Sequence, residues 1–398
     1  ACSFCFSKFR ITRTRYTTTN NNKMQRSEST TAATLILPNE VIMEILLRLP
    51  VRSLMRFKSV CKEWNNLISD AQFAKFHLKQ SNENNNFNHE RLMFVHVSLY
   101  SIDFEGSNEV TKLDYPTNNN VCNCSLNVMG SCNGLLCMSP AEDVIFLWNP
   151  STRMSMKLPS SPPIEFPSSS CRCSSVLYGL GYDSIADDYK LVQVVLFDSE
   201  DFQTQVKMYS AKTGSWRRIQ DFPFDFPYGR HGVFVNGALH WMVSLWSGSF
   251  HYHMVAALDL AEETYRLVQI PDCEYEKFYF DIGVLGGCLF LFCCSNEISF
   301  DLWVMKEYGM TESWTKLRIT IPSITGLEAY GYLKPLSLTK KGEILLRIGA
   351  QKLILYNMEE ETLRYLVIQG MPEQFETVIY VESLISPNAN NYIDVQYQ

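Results

Sequence analysis

No stretch of this 398-residue sequence is apolar for long enough to cross a bilayer. The longest apolar run, residues 282–294, has 13 residues and contains three glycines, whereas a membrane-spanning helix needs roughly 20 apolar residues. We therefore expect no membrane partner and interpret this run as a buried strand. With 46% hydrophobic residues, the chain can bury a full core, and its length is compatible with one large domain and one small domain.

The sequence also lacks the pattern of a disulfide framework or a metal site. Its 13 cysteines are an odd number in a chain with no secretory signal, which favours a reducing compartment, the cytoplasm or the nucleus. Closely spaced cysteines lack the gap of two to four residues that lets two thiolates bind one zinc ion. These pairs are Cys122 with Cys124, Cys171 with Cys173, and Cys293 with Cys294. Cys2 and Cys5 have the gap but no second pair, so we expect no metal and no cofactor.

Motifs of common active sites are missing as well. There is no G-x-S-x-G nucleophile turn, no H-E-x-x-H pair and no phosphate-binding glycine loop. Asp183, Asp187 and Asp188 form an acidic group, but in the string YDSIADDYK they are typical of a turn that enters a strand. His251 and His253 would share one face of a strand, where ordinary surface histidines are the commoner explanation. We expect no catalytic residue.

Acidic residues are absent from the first 23 positions, which carry five basic ones, and the first methionine is Met24. Such a leader fits either an organelle transit peptide or translated upstream sequence, and we favour the second, with a natural start at Met24. Residues 1–34 are then a disordered leader. From Met24 onward, 30 basic residues stand against 42 acidic ones, a net charge of −12. That charge repels phosphate backbones, so we expect no nucleic-acid partner.

Residues 35–78 have a helical pattern. Pro38 stands where a first-turn proline is tolerated, and apolar residues then recur at spacings of three and four. They are Val41, Ile42, Ile45, Leu46 and Leu49. The pattern predicts three short helices, which bury too little surface to make a core of their own. Some of their apolar surface must therefore be covered by a partner.

After an Asn-rich linker, residues 79–90, the sequence changes to short apolar runs separated by turn residues, which indicates antiparallel strands. One unit recurs: a strand with a large apolar anchor, a polar turn and a second strand. The anchors are Tyr100, Trp148, Tyr209, Leu258, Trp303 and Tyr356, at spacings of 48, 61, 49, 45 and 53 residues. This period is close to the roughly 50 residues of a kelch blade.

We therefore predict a mainly β chain with a kelch-like β-propeller over residues 91–386, with six blades, and a tail at 387–398. Hairpins of a β-sandwich are the alternative, but a sandwich has no superposed period of about 50 residues. Glycine turns followed by apolar residues, as in FVNGALHWM (234–242), would form inner strands. The segment TVIYVESLIS (377–386) would complete the first blade and close the ring.

The string LPNEVIMEILLRLPVRSLMRFKSVCKEWNNLI (37–68) closely resembles the F-box, a module that docks on a Skp-type adaptor. Met43 and Met55 at usually aliphatic sites are its minor departures. By this resemblance, eight residues would include the adaptor contacts: Leu37, Pro38, Ile42, Leu46, Pro50, Leu54, Val60 and Trp64. Some of them must hold the helices together instead. We expect Pro38 and Pro50 at the interface, and Ile45 and Phe57 inside.

The remainder is similar to the kelch-like F-box-associated domain of plants, through GSCNGLLCM, FLWNPSTRMSMKLP, YGLGYDSIADDYKLVQVV and WVMKEYGMTESWTKL. The resemblance implies the substrate-recognition subunit of a Skp-cullin-F-box ubiquitin ligase, which binds a target protein for ubiquitination and degradation. Residues 178–195 and 281–317 look nearest to the branch that limits immune-receptor accumulation, so an immune receptor is a candidate target. A non-ligase scaffold and a propeller enzyme remain the alternatives.

The loops at one face of the propeller are the expected substrate site, since aromatic side chains in polar surroundings make good binding hot spots. The two richest segments are residues 222–231 and 245–253. The candidate residues are Tyr228, Arg230, Trp246, Phe250 and Tyr252. Packing between blades is an equally good explanation for any one of these aromatic residues.

Overall fold

In the computed structural model, four helices are followed by 24 strands within the part of the chain that the structure describes. That part is residues 37–83, 90–96, 98–106, 110–115, 126–141, 144–168, 171–198, 203–224, 227–247, 250–271, 279–294, 299–320, 333–349, 352–370 and 374–388. The contacts divide the chain into two units, Ala1–Phe87 and Asn88–Gln398. The predicted leader, residues 1–34, lies outside the described residues, as does most of the predicted tail.

The first unit is helical. Its helices are α1 Asn39–Leu47, α2 Val51–Phe57, α3 Lys62–Ser69 and α4 Ala71–Glu83. Pro38 and Pro50 are the N-cap residues of α1 and α2, with φ of −56° and −58°. A fixed φ in this range and a carbonyl that accepts the first helical hydrogen bonds make proline suitable at a helix start. None of the described helices is long and apolar enough to span a membrane.

Helix α4 corrects two of the predictions. It is a fourth helix where three were expected, and it continues to Glu83, into the predicted linker at 79–90. Asp70 caps it by accepting hydrogen bonds from the backbone N–H groups of Gln72 and Phe73, both at 2.9 Å. One face is buried through Phe73, Ala74, His77, Leu78 and Ser81. This periodic face keeps residues 79–83 helical despite their polar composition.

The second unit consists of short strands. They are β1 Glu90–Val95, β2 Leu99–Ile102, β3 Val110–Leu113, β4 Asn127–Cys132, β5 Leu135–Ala141, β6 Val144–Trp148, β7 Ser155–Lys157, β8 Arg172–Asp183, β9 Asp188–Asp198, β10 Thr204–Ser210, β11 Ser215–Arg218, β12 Pro227–Val235, β13 Ala238–Ser247, β14 Phe250–Asp259, β15 Tyr265–Val268, β16 Tyr279–Leu285, β17 Cys288–Cys294, β18 Ser299–Met305, β19 Trp314–Thr320, β20 Leu333–Leu338, β21 Glu343–Ile348, β22 Lys352–Asn357, β23 Thr362–Tyr365 and β24 Glu376–Val381.

These strands form a β-propeller arrangement, as the repeat predicts. Four sheets have four strands each, in the orders β24-β1-β2-β3, β4-β5-β6-β7, β16-β17-β18-β19 and β20-β21-β22-β23. The fifth has eight, β11-β10-β9-β8-β12-β13-β14-β15. Its halves meet where Tyr178 of β8 and His231 of β12 form a parallel pair. Every predicted anchor lies in an equivalent strand, namely β2, β6, β10, β14, β18 or β22.

The core lies between neighbouring sheets, and β1 shows how the sequence builds it. Leu92 and Phe94 pack with residues of β21 and β22, whereas Met93 and Val95 pack with residues of β4 and β5. Successive side chains of a strand point to opposite faces. A strand that is buried on both faces is therefore apolar at most positions, and this explains the continuous apolar runs of the sequence. A buried polar residue such as Arg91 of β1 needs a polar partner, here the hydroxyl of Ser101.

The C-terminal strand closes the arrangement, as predicted for residues 377–386. β24 pairs antiparallel with β1, from Glu90 opposite Val381 to Val95 opposite Glu376. Just beyond β24, the buried amide nitrogen Nδ2 of Asn149 donates to the carbonyl oxygens of Ser383 and Ile385, at 3.1 and 2.7 Å. Asn149 follows β6, so its side chain fastens the last segment of the unit to the sheet β4-β5-β6-β7.

Five hairpin turns share one local design. The first residue has an Asx or Ser side chain that accepts backbone N–H bonds, and the fifth residue has a positive φ. These pairs are Asn149 with Arg153, Asp183 with Asp187, Ser210 with Gly214, Asp259 with Glu263, and Asn357 with Glu361. Among these five turns, only the one that begins at Ser210 has a glycine, Gly214, at the fifth position. The other four turns hold a residue with a Cβ in a conformation that costs about 1–2 kcal/mol.

We expect Glu361→Gly to stabilise the protein by about 0.5–1 kcal/mol, because glycine removes the strain at φ 51° and this gain exceeds the added freedom of the unfolded chain. The matched control is Glu359→Gly in the same turn, where the backbone is not left-handed and a small loss of stability is expected. Chemical denaturation of both variants measures the difference. Equal losses in the two would contradict the turn assignment.

A buried histidine joins two neighbouring sheets. His240 of β13 is fully buried, its Nδ1 lies 3.1 Å from the carbonyl oxygen of Val233, and its Nε2 lies 2.7 Å from the hydroxyl of Tyr308. Arg266 donates to the same hydroxyl at 2.7 Å. Burial lowers the pKa of His240 to about 4. The neutral ring therefore donates through Nδ1 to the carbonyl and accepts through Nε2.

Stability should depend on pH through this group. Because the pKa of His240 is about 4 in the folded state and about 6.5 when unfolded, the unfolded chain binds more protons between these values. The contribution is complete above pH 6.5 and is lost as the pH falls towards 4, by about 3 kcal/mol. Denaturation of His240→Gln across this range should lack that slope, whereas a variant of the exposed His96, His96→Gln, should keep it. A slope that is the same in His240→Gln and the wild type would contradict the assignment.

Candidate protein-interaction sites

The helical unit exposes an apolar stripe along α1. Val41 and Ile45, which are 41% and 48% exposed, stand four residues apart on one face of α1. Leu37, which is 41% exposed, comes just before the N-cap residue Pro38. We call these three residues the α1 stripe. Val60, which precedes α3, is 57% exposed. Several exposed apolar side chains on so small a unit are typical of a docking surface.

The structure separates the eight predicted adaptor contacts into three groups. Leu46 and Leu54 are 1% and 0% exposed, so the prediction that they contact an adaptor is corrected: they form the interior of the helical unit. Leu37, Pro38 and Val60 are exposed, and Ile42, Pro50 and Trp64 are half-buried. These six stay available as contacts.

Two further predictions in this unit have different outcomes. Ile45 was expected inside, and this is wrong, because it belongs to the exposed α1 stripe. Phe57 is half-buried, and its ring centroid lies 5.4 Å from that of Trp64. Trp64 therefore packs against α2 through part of its surface. The physical reason for the errors is that apolar residues cover a wide face of α1. Their spacing does not show which of them turn towards the interior of the helical unit.

The five predicted substrate residues lie at one end of the eight-stranded sheet. Strands β8, β10, β12 and β14 begin at this end, and β9, β11 and β13 end there. We call it the distal edge. Register pairs Tyr228 with Met242, Trp246 with His251, and Ser247 with Phe250. The sheet thus brings residues 227–231 of the first segment, and residues 245–247 and 250–253 of the second, to the same edge.

These residues belong mainly to strands, and this corrects the expectation of loops. β12 begins at Pro227, and the β13–β14 hairpin pairs up to Ser247 and Phe250. Tyr252 is 42% exposed, whereas the side chains of Tyr228, Arg230, Trp246 and Phe250 lie outside the described part. Strand pairing continues to the hairpin end because the residues there are aromatic and β-favouring.

Phe222, at the start of the first segment, has a packing role. It is 7% exposed, and its ring lies edge-on to Trp241 and Tyr265 at centroid distances of 5.9 and 5.2 Å. The two partners belong to β13 and β15. Phe222 therefore packs the β8–β11 half of the sheet against the β12–β15 half, the alternative that the sequence left open for these aromatics.

The acidic residues of YDSIADDYK build a turn. Asp183 accepts from the N–H groups of Ile185 and Ala186 at 2.9 and 3.0 Å, and Lys190 donates to its other oxygen at 2.8 Å. Burial alone would raise the pKa of Asp183, but these hydrogen bonds hold it below its ordinary value. Asp188 accepts from Ser210 and from the backbone of Lys212. In the described residues, no group of three or more His, Cys, Asp or Glu is placed to hold a metal ion.

A cavity at the distal edge was not predicted from the sequence. It has a volume of about 430 Å³ and lies beside residues 158–168, which contain four prolines and which we call the proline strap. The strap contacts three strands: Trp216 of β11 donates to the Pro159 carbonyl at 2.9 Å, Ser161 donates to Gln193 of β9 at 2.7 Å, and Lys207 of β10 donates to two proline carbonyls. The run of prolines was its only sequence signal.

The chain thus consists of a helical unit that exposes apolar side chains and a β-propeller unit. An F-box domain matches residues 35–76, and an F-box associated beta propeller domain matches residues 76–393. The chain therefore belongs to the F-box proteins that carry an F-box associated β-propeller, as the sequence resemblance predicts. An F-box domain implies binding to a Skp-type adaptor, and the combination is that of an F-box substrate-recognition protein.

Three relatives from Arabidopsis thaliana show the extent of the similarity. F-box protein CPR1 is 32% identical, over 91% of this chain and 92% of that protein. An F-box/kelch-repeat protein is 31% identical, over 88% of this chain and 96% of its own length. A further F-box protein is 31% identical, over 87% of this chain and 90% of that protein. The similarity includes both the helical unit and the propeller.

Proposed function

We propose that the chain is the substrate-recognition subunit of a Skp-cullin-F-box ubiquitin ligase. The helical unit binds the Skp-type adaptor, the adaptor connects to a cullin, and the propeller binds a target protein for ubiquitination and degradation. The observation that carries the proposal is the α1 stripe, an apolar surface left uncovered in a unit too small to be stable by burial alone.

The proposed mechanism is positioning. Holding a target near a ubiquitin-charged conjugating enzyme raises the effective concentration of its lysines, so the chain itself needs no catalytic residue, metal or cofactor. The six available residues of the F-box, Leu37, Pro38, Ile42, Pro50, Val60 and Trp64, are proposed as adaptor contacts together with Val41 and Ile45. We propose the cytoplasm or the nucleus as the site of action, and an immune receptor as a candidate target.

The propeller is proposed to have six blades. The halves β8–β11 and β12–β15 of the eight-stranded sheet are each antiparallel and four-stranded, like the four separate sheets, and they are joined through the parallel pair of Tyr178 and His231. Counting each half as a blade makes every blade equivalent. The first blade then contains β24, so the chain ends close the ring.

Co-expression of the full chain with a Skp-type adaptor and a cullin tests this function. We expect the three to co-elute on size-exclusion chromatography, and the cullin to be lost when the adaptor is omitted. A chain that stays separate from the adaptor, or that binds the cullin without it, would contradict the proposal.

A further inference from the structure

The cavity beside the proline strap combines an aromatic wall with charged groups. Phe197 of β9 is 4% exposed and Phe166 of the strap is 52% exposed. Their ring centroids lie 5.8 Å apart in an edge-on arrangement. Phe166 therefore presents an open aromatic surface above a buried ring, at the mouth of a space of about 430 Å³. Such a wall favours a long aliphatic stem or a flat cation.

The charged groups that line the cavity are two carboxylates and one guanidinium, and one carboxylate oxygen among them has no hydrogen bond to a described residue. Arg218 donates to Glu165 Oε2 at 2.7 Å and to Asp221 Oδ2 at 2.8 Å, and Asp221 Oδ1 accepts from the N–H group of Val206 at 3.1 Å. Glu165 Oε1 has no hydrogen bond to a described residue. Two carboxylates thus face one guanidinium among the lining side chains. Lys207 does not line the cavity; its ammonium group is bonded to the carbonyl oxygens of Pro162 and Pro163, and its charge also interacts with that of Glu165.

A buried amide completes the site. Gln205 of β10 lines the cavity although it is only 1% exposed. Its oxygen accepts from the backbone N–H of Glu165 at 3.3 Å, so its Nε2 group remains as a donor, with no hydrogen bond to a described residue. A buried amide donor is satisfied by an acceptor such as a peptide carbonyl. The lining therefore offers one anionic acceptor, one amide donor and an aromatic wall.

We infer that this cavity binds an arginine or lysine side chain on an extended segment of the target protein, an inference that rests on the proposed function. The stem of the side chain packs against Phe166, its cationic head bonds Glu165 Oε1, and the Gln205 amide donates to a carbonyl of the bound segment. The proline strap holds Phe166 and Glu165 in place, because its prolines have a fixed φ and its carbonyls are bonded to Lys207. This pre-organisation reduces the entropy lost on binding.

Fluorescence anisotropy with the full chain tests the inference. The probes are four labelled peptides of one leucine-flanked sequence that differ at a single central position: arginine, lysine, glutamine or glutamate. We expect the arginine and lysine peptides to bind about threefold to fivefold more tightly than the glutamine peptide and more tightly still than the glutamate peptide, since Glu165 is largely exposed. The affinity should fall as salt is raised. Equal binding of the arginine and glutamine peptides would overturn the inference.

Variants assign the effect to the cavity. Glu165→Gln should lower the affinity for the arginine peptide about threefold to fivefold, because Glu165 is largely exposed, and Phe166→Ala should weaken the binding of both basic peptides. Glu262→Gln, an exposed carboxylate at the opposite end of the sheet, should change nothing. Adaptor binding is measured on the same samples, so intact adaptor binding without a preference for basic peptides refutes this inference alone. A preference unchanged in Glu165→Gln would also refute it.

Discussion

Ile45→Glu is expected to weaken binding of the Skp-type adaptor by about 100-fold or more, roughly 2.7 kcal/mol. Ile45 is the most exposed member of the α1 stripe, at 48%. Docking would move the new carboxylate from water into an apolar contact without a partner, which is costly. Because Ile45 is not in the interior of the helical unit, the variant should fold normally. Isothermal titration calorimetry with purified adaptor measures the change.

The matched control is Ile185→Glu, since Ile185 is an isoleucine of the propeller that is 83% exposed. The same chemical change there should leave adaptor affinity unaltered. Leu46→Glu, by contrast, should unfold the helical unit, because Leu46 is buried. If Ile45→Glu binds the adaptor as well as the wild type does, the α1 stripe is not the adaptor surface.

Asn149→Ala is expected to lower the free energy of unfolding by about 4 kcal/mol. The side chain is fully buried and donates to the carbonyl oxygens of Ser383 and Ile385, while its oxygen accepts from the N–H group of Ser151 at 2.8 Å. Truncation leaves both carbonyls unsatisfied, at about 1–3 kcal/mol each for such groups. Chemical denaturation measures the loss, and the segment after β24 should become sensitive to protease.

Asn357→Ala is the control that separates ring closure from turn formation. Asn357 accepts from the N–H groups of Glu359 and Glu360 in an equivalent turn, but its amide nitrogen has no bond to the C-terminal segment in the described structure. Its loss should be about 1 kcal/mol, the value typical of a lost cap. Equal losses in the two alanine variants would contradict the assigned role of Asn149 in closure.

The sequence contains enough information to predict the architecture, because the signals concerned are local. The anchors from Tyr100 to Tyr356 recur with a period of about 50 residues, and each lies in an equivalent strand. Residues 377–386 could be assigned to the first sheet because a strand without its own repeat needs a partner. The end of helix α4 was missed since Ser81 and Asn82 begin an Asn-rich polar run, and the burial of Ser81 on the same face as Leu78 cannot be read from the sequence.

The cavity could not be predicted, because it depends on contacts between distant parts of the chain. The strap residues Ser161 and Glu165 bond to Gln193 and Gln205, which follow 32 and 40 residues later. No spacing rule connects such positions. The side of α1 that faces a partner was also beyond the sequence, since Ile45 and Leu46 are adjacent apolar residues and only packing against the other helices decides which one is buried.

Transfer of ubiquitin to a captured target tests the central claim most directly. The full-length Ile45→Glu chain should still bind a target through its propeller, so proteins that it retains from plant extract can be offered to the ligase reconstituted with adaptor, cullin and conjugating enzyme. We predict that a retained protein becomes ubiquitinated with the wild-type chain and not with Ile45→Glu. A retained protein that stays unmodified with the wild-type chain, or that is modified equally by both chains, would contradict the account.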